Sequence, residues 1–119
     1  MDYRIGKNIR FYREMAGMTQ KQFADALGYD NHSTITKIEG GKRDVPISKV
    51  AEMARVLHVS PAVFFRDIPE ADYLDYIEHI RALAEKDPEK LRVIREMLGM
   101  SSEKKEAQPS SSVSSGTAG

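Results

Sequence analysis

Cysteine is missing from the 119 residues of this chain. Its absence removes disulfides, thiolate metal ligands and cysteine nucleophiles together, and it fits a reducing compartment. Long apolar runs are missing too, and nothing approaches the roughly 20 consecutive apolar residues that a membrane-spanning helix requires. The opening Met1-Asp2-Tyr3-Arg4 leads into no apolar segment of the secretory type, so a cytoplasmic location and no membrane association are expected. His32, His58 and His79 stand in no HExxH or paired metal-ligand spacing, and Gly40-Gly41 lacks the Gly-Lys-Ser/Thr of a phosphate-cradling loop. Catalysis, a bound metal and a cofactor are therefore not expected. An excess of charge is lacking as well, with 18 basic and 18 acidic residues. That balance is made of two unequal parts. Residues 1–66 hold eleven Lys/Arg against seven Asp/Glu, and the remainder reverses the bias. A basic unit joined to an acidic one implies that only the first faces a polyanion.

What is present is 40% hydrophobic and 30% charged sequence, the composition of a globular chain with room for one small domain and an appendage. Ile5, Ile9, Tyr12 and Ala16 recur at helical spacing and predict a helix over about residues 6–16, closed by Gly17. Thr19 offers a cap for a second helix over 20–27, with Gln22 at the capping-box position and Phe23, Ala24 and Leu27 inward. Gly28 ends it, and the polar turn that follows leads to a third short helix over 33–39. Ile47, Val50, Ala51, Ala54 and Leu57 mark a fourth. Ser60-Pro61 opens a fifth, which ends in Phe64-Phe65. Phe23, Ile35, Ile38, Leu57, Phe64 and Phe65 are the expected core.

After Pro69 the pattern changes. Tyr73, Ile77, Ile80 and Ala84 form one stripe; Asp87-Pro88 restarts a helix in which Leu91, Ile94 and Leu98 form another. From Ser101 the sequence becomes charged and then Ser/Gly/Ala-rich, which predicts a disordered tail over 101–119. The expected division is thus 1–68, 69–100 and 101–119.

Two short helices joined by a glycine-containing turn, between Thr19 and Glu39, make a helix-turn-helix pattern, in which the second helix projects side chains into a major groove. Residues 5–65 resemble the phage-repressor-like (Cro/Xre-type) helix-turn-helix family of transcriptional regulators. The residues that carry the likeness are Ile9-Arg10 and Arg13, the run Thr19-Gln20-Lys21-Gln22-Phe23-Ala24, the run from Ser33 through Glu39 to Arg43, Leu57-His58-Val59-Ser60-Pro61, and Phe64-Phe65. The resemblance implies an all-α, five-helix lambda-repressor-like DNA-binding domain, here followed by two amphipathic helices. It implies that His32, Ser33, Thr34 and Lys37 face the bases, since Ile35 and Ile38 must point inward, and that Gln20, Tyr29, Lys42 and Arg43 face phosphates. Arg13 and Glu39 match positions at which the family carries an internal ion pair. The turn 28–32 is one residue longer than the family's usual pattern, so the cap and the first base-facing position stay open between Asn31, His32 and Ser33.

The implied partner is double-stranded DNA, bound by a homodimer at paired half-sites about 34–36 Å apart. The C-terminal stripes, with Tyr76, Val93 and Met97 on their flanks, either supply the dimer contact or fold back on the first domain. A competing reading is a protein-interaction module, an antitoxin or adaptor, that takes a protein partner through residues 70–98.

Overall fold

Each helix starts or stops where local chemistry satisfies its free backbone groups. The computed structural model describes residues 3–67 and 70–100; the expected tail at 101–119 lies outside the described residues. The elements are α1 (Tyr3–Met15), α2 (Gln20–Ala26), α3 (Ser33–Glu39), α4 (Ile47–Leu57), a 3-10 helix (Pro61–Phe65), α5 (Glu70–Lys86) and α6 (Pro88–Met97). The described chain is all-α, as expected. Gly17 closes the first helix with φ +74°. Thr19 and Gln22 then form a reciprocal capping box: Gln22 N donates to Thr19 Oγ1 at 3.0 Å and Thr19 N to Gln22 Oε1 at 2.9 Å. Ser60 Oγ accepts from Ala62 N, and Asp87 Oδ1 from Lys90 N, each beside a proline that suits the first helical position.

The core lies between α1 and the faces of α2, α3, α4 and the 3-10 helix turned towards it. Ile9, Phe23, Ala24, Ile35, Met53, Leu57 and Phe64 are fully enclosed. Asn8 is buried beside them. Its Nδ2 donates to Phe64 O at 2.8 Å and to Arg66 O at 2.6 Å, tying α1 to the end of the 3-10 helix. That amide supplies partners to carbonyls that would otherwise be desolvated without one.

Three positions expected to face inward lie outward instead. Phe65 is 42% exposed, because a 3-10 helix turns about 120° per residue and only one of two adjacent phenylalanines can point inward. Ile47 is 76% exposed; α4 begins there, and its inward stripe is instead Val50, Met53, Ala54 and Leu57, with Ala51 turned outward.

The C-terminal pair packs on the first five elements and shares their core. Ile80, Leu91 and Met100 belong to the same buried cluster as Ile9 and Phe23. The Tyr73 ring has Lys7 Nζ at 5.8 Å and Arg10 Cζ at 5.9 Å, both over its face, and the Phe11 and Tyr76 rings meet edge to face at 6.3 Å. Burial pushes the Tyr73 hydroxyl up to a pKa of about 12. Arg95 Nη1 caps the end of α1 by donating to Met15 O at 3.0 Å. Ala84, expected inward, is exposed. Leu74, Tyr76, Val93, Met97 and Leu98 are also exposed, so the outer surface of the pair carries apolar side chains among its charged ones.

Candidate nucleic-acid interface

α3 is seven residues long and is held from behind by Ile35 and Ile38, both buried. With those two inward, helical geometry turns Ser33, Thr36, Lys37 and Gly40 outward, and all four are exposed, as is His32. Thr34 sits on the flank and is half-buried. The long turn before α3 closes on Asn31, whose Oδ1 accepts from Ser33 N at 2.8 Å and from the Ser33 hydroxyl. Asn31 is thereby occupied inside the protein, while His32 carries helical dihedrals and stands at the entry to α3.

A polar network locks α3 to α1 and α2. Arg13 Nε donates to Glu39 Oε2 at 2.6 Å, and its Nη2 to Glu39 Oε1 at 3.1 Å, a bidentate pair whose two side chains are almost wholly buried. Arg13 Nη1 also donates to Met18 O at 2.7 Å, which fixes the turn before α2. Gln20 joins the same carboxylate, its Nε2 donating to Glu39 Oε1 at 3.0 Å, while its Oε1 accepts from the Thr36 hydroxyl at 2.9 Å. The Gln20 amide is therefore oriented by α3 itself. Thr36 was not singled out from the sequence, although its spacing from Ser33 and His32 (i+3 and i+4) was sufficient to place it on the outward face.

Lys42 and Arg43 are exposed in the turn after α3, which is closed by Lys42 N donating to Lys37 O at 2.8 Å and by Gly41 at φ +76°. Tyr29 is half-buried, with Lys49 Nζ 4.9 Å from its ring centroid. The same ammonium donates to Leu27 O, so Tyr29 is braced by α4. His32, Lys37, Lys42 and Arg43 thus lie along one helix and its exit loop, with Gln20 beside them, and Tyr29 stands on the turn leading in.

Across from α2, Arg81 of α5 grips Glu14 of α1 through Nε at 3.2 Å and Nη2 at 2.5 Å. Burial raises the pKa of Glu14, but the hydrogen bond from Arg81 and the charges of Arg13, Arg81 and Arg10 outweigh it and hold the carboxyl below its ordinary range. Among the described residues no three carboxylates or histidines come together as metal ligands, and no helix is long and apolar enough to cross a membrane.

Comparison with known proteins agrees with this arrangement. The chain is 33% identical over 69 residues to proteins of Sinorhizobium medicae (strain WSM419) and Rhizobium meliloti (strain 1021), each named an uncharacterized HTH-type transcriptional regulator. A likewise named protein of Sinorhizobium fredii (strain NBRC 101917 / NGR234) is 29% identical over 70 residues. These matches cover 58%, 58% and 59% of this chain and 49%, 49% and 48% of the relatives, so the chain spans about half the length of the curated relatives it matches. No solved structure matches. The model of the helix-turn-helix domain family matches residues 4–64, which run from α1 into the 3-10 helix and contain α2, α3 and α4; the chain belongs to that family.

Proposed function

We propose that this chain binds double-stranded DNA sequence-specifically as a transcriptional regulator, a repressor acting in the cytoplasm, with α3 in the major groove. The observation that carries this reading is the exposed polar face of a rigidly backed helix: His32, Ser33 and Lys37 outward, Ile35 and Ile38 enclosed, and Glu39 clamped by Arg13. Such a face matches what base reading needs, since side chains must reach base edges without the helix moving. In this reading His32, Ser33, Thr34 and Lys37 contact bases, Lys37 donating to guanine O6 and N7, and Gln20, Tyr29, Lys42 and Arg43 contact phosphates. The names of the relatives support regulation of transcription.

Salt dependence tests it. Titration of a labelled duplex followed by fluorescence anisotropy should give affinity that falls steeply with salt. Replacing Lys42 and Arg43 together by glutamine should make the log–log slope shallower by about 1.8, at about 0.9 per phosphate. Lys37→Ala should cost about 1–3 kcal/mol on the preferred sequence and much less on random duplex. Binding without salt dependence, or equal losses on both duplexes, would refute base reading by α3.

The second unit in this reading, residues 69–100, joins two copies into a homodimer that spans paired half-sites. Leu74, Tyr76, Val93, Met97 and Leu98 are exposed there, and Val93 and Met97, four residues apart, share one face of α6. Met97, 80% exposed, contributes little to the monomer's own packing. Met97→Glu should therefore shift sedimentation of the full chain from dimer to monomer with the helical circular-dichroism signal unchanged. A wild-type chain that sediments as a monomer at every concentration used would instead direct the same surface to a different protein, as in an antitoxin or adaptor.

A further inference from the structure

We propose that α5 forms a second wall of the DNA interface and that Arg81 contacts a backbone phosphate flanking the half-site; this rests on the DNA-binding reading above. A groove of about 790 Å³ runs beside α3, with Gln20, His32 and Thr36 on one side and Ile80, Arg81 and Ala84 on the other. Its first wall is the flank of the base-reading face, so a duplex seated on α3 continues directly into it. Arg10, Arg13, Lys21 and Arg81 line the groove against two carboxylates, Glu14 and Glu39, with Lys21 also pairing with Asp25 at 3.0 Å. Glu39 is spent on Arg13 and Gln20, and Glu14 is shared among Arg10, Arg13 and Arg81. The surplus is cationic, which suits a phosphate and repels an acidic protein segment.

Arg81 is the cation best placed to use that surplus. Its side chain is 60% exposed, whereas Arg13 is buried. Glu14 holds two of its nitrogens, Nε and Nη2, in a two-pronged grip that fixes the guanidinium plane, and Nη1 is left without a partner among the described residues. A fixed guanidinium loses little freedom when a phosphate oxygen arrives. A phosphate contact positions the protein without reading sequence, so Arg81 should act equally on all duplexes.

The experiment measures the salt slope on a random-sequence duplex for the full chain and for R81Q, R81K and E14Q. R81Q should be shallower by about 0.9, so that its deficit relative to wild type shrinks about 3.5-fold between 50 and 200 mM salt. R81K should keep the wild-type slope. E14Q, which leaves the charge of Arg81 in place and removes an anion from the groove, should keep the wild-type slope. A purely structural Arg81–Glu14 tie predicts the opposite pattern, R81Q and E14Q weakened alike with the slope unchanged, and that result overturns the proposal. So does an unchanged R81Q slope accompanied by Arg81-dependent binding of inorganic phosphate, which would assign the groove to a free phosphate. If the wild-type chain itself lacks salt-dependent duplex binding, the DNA reading fails first; if K42Q/R43Q flattens the slope and R81Q does not, only the role of α5 fails.

Discussion

Breaking the pair between Arg13 and Glu39 from either side should lower the unfolding free energy by about 3–5 kcal/mol, because the surviving charge stays buried without its counter-ion. In Arg13→Met, Glu39 keeps only the amide of Gln20, and the carbonyl of Met18 loses its donor. In Glu39→Met, the Arg13 guanidinium is left in the same enclosed place with Glu14 as its only carboxylate, at 3.4 Å. Replacing both by methionine removes the two charges together and should restore most of the loss, since a buried ion pair contributes little net stability over apolar residues of similar volume. Duplex affinity should not return with it. Glu39 also orients Gln20, and through it Thr36, so the double variant regains its fold but not the arrangement of its reading face. Urea titration of the two single variants and the double variant, with equal slopes, measures the first effect; anisotropy on the preferred duplex measures the second. Single variants within 1 kcal/mol of wild type would show that solvent reaches the pair and that it does not clamp α3.

Gly6→Ala should destabilise the protein by about 3 kcal/mol, even though alanine is the better helix former by about 1 kcal/mol. A methyl group at this position would lie 2.2 Å from Ile38 O and 3.2 Å from Glu39 O. Both are backbone atoms of α3, so no side chain can swing aside, and either α1 or α3 must move as a unit. Overpacking of this kind usually costs about 1–3 kcal/mol, with more where the opposing atoms are rigid. Because α3 is the element displaced, loss of duplex affinity should exceed what the stability change alone predicts. An unchanged or raised urea midpoint would mean that the crossing of α1 over α3 is looser than described.

Helix ends were legible because their causes are local: Thr19 with Gln22, Gly17, Gly28, Ser60-Pro61 and Asp87-Pro88 each act within a few residues. Enclosure was harder. Phe64 and Phe65 are indistinguishable by composition and are separated only by the tighter turn of the 3-10 helix. Gly6 read as the start of a helix, whereas its importance comes from the backbone of Ile38 and Glu39, far along the chain. Asn8 carried no signal, since its partners are carbonyls at the far end of the 3-10 helix. In the interface, the outward placement of Lys37, Lys42 and Arg43 followed from Ile35 and Ile38 and from loop composition. Thr36 was overlooked although periodicity held the information. Arg81 was beyond reach, because its position depends on how α5 docks against α1, and an amphipathic stripe does not state which surface it will cover.

The seating of α5 and α6 bears on how far this protein can be taken apart. Phe11 and Met15 of α1 border an open recess of about 450 Å³ together with Ile80, Leu83, Leu91 and Ile94, so the same helix that supports α3 relies on the last two helices to flank its far side. Grafting the first 67 residues onto another regulator would transplant an uncovered greasy strip along with the reading head. A working chimera must bring α5 and α6 along, or recolour α1 with polar residues at Phe11 and Met15.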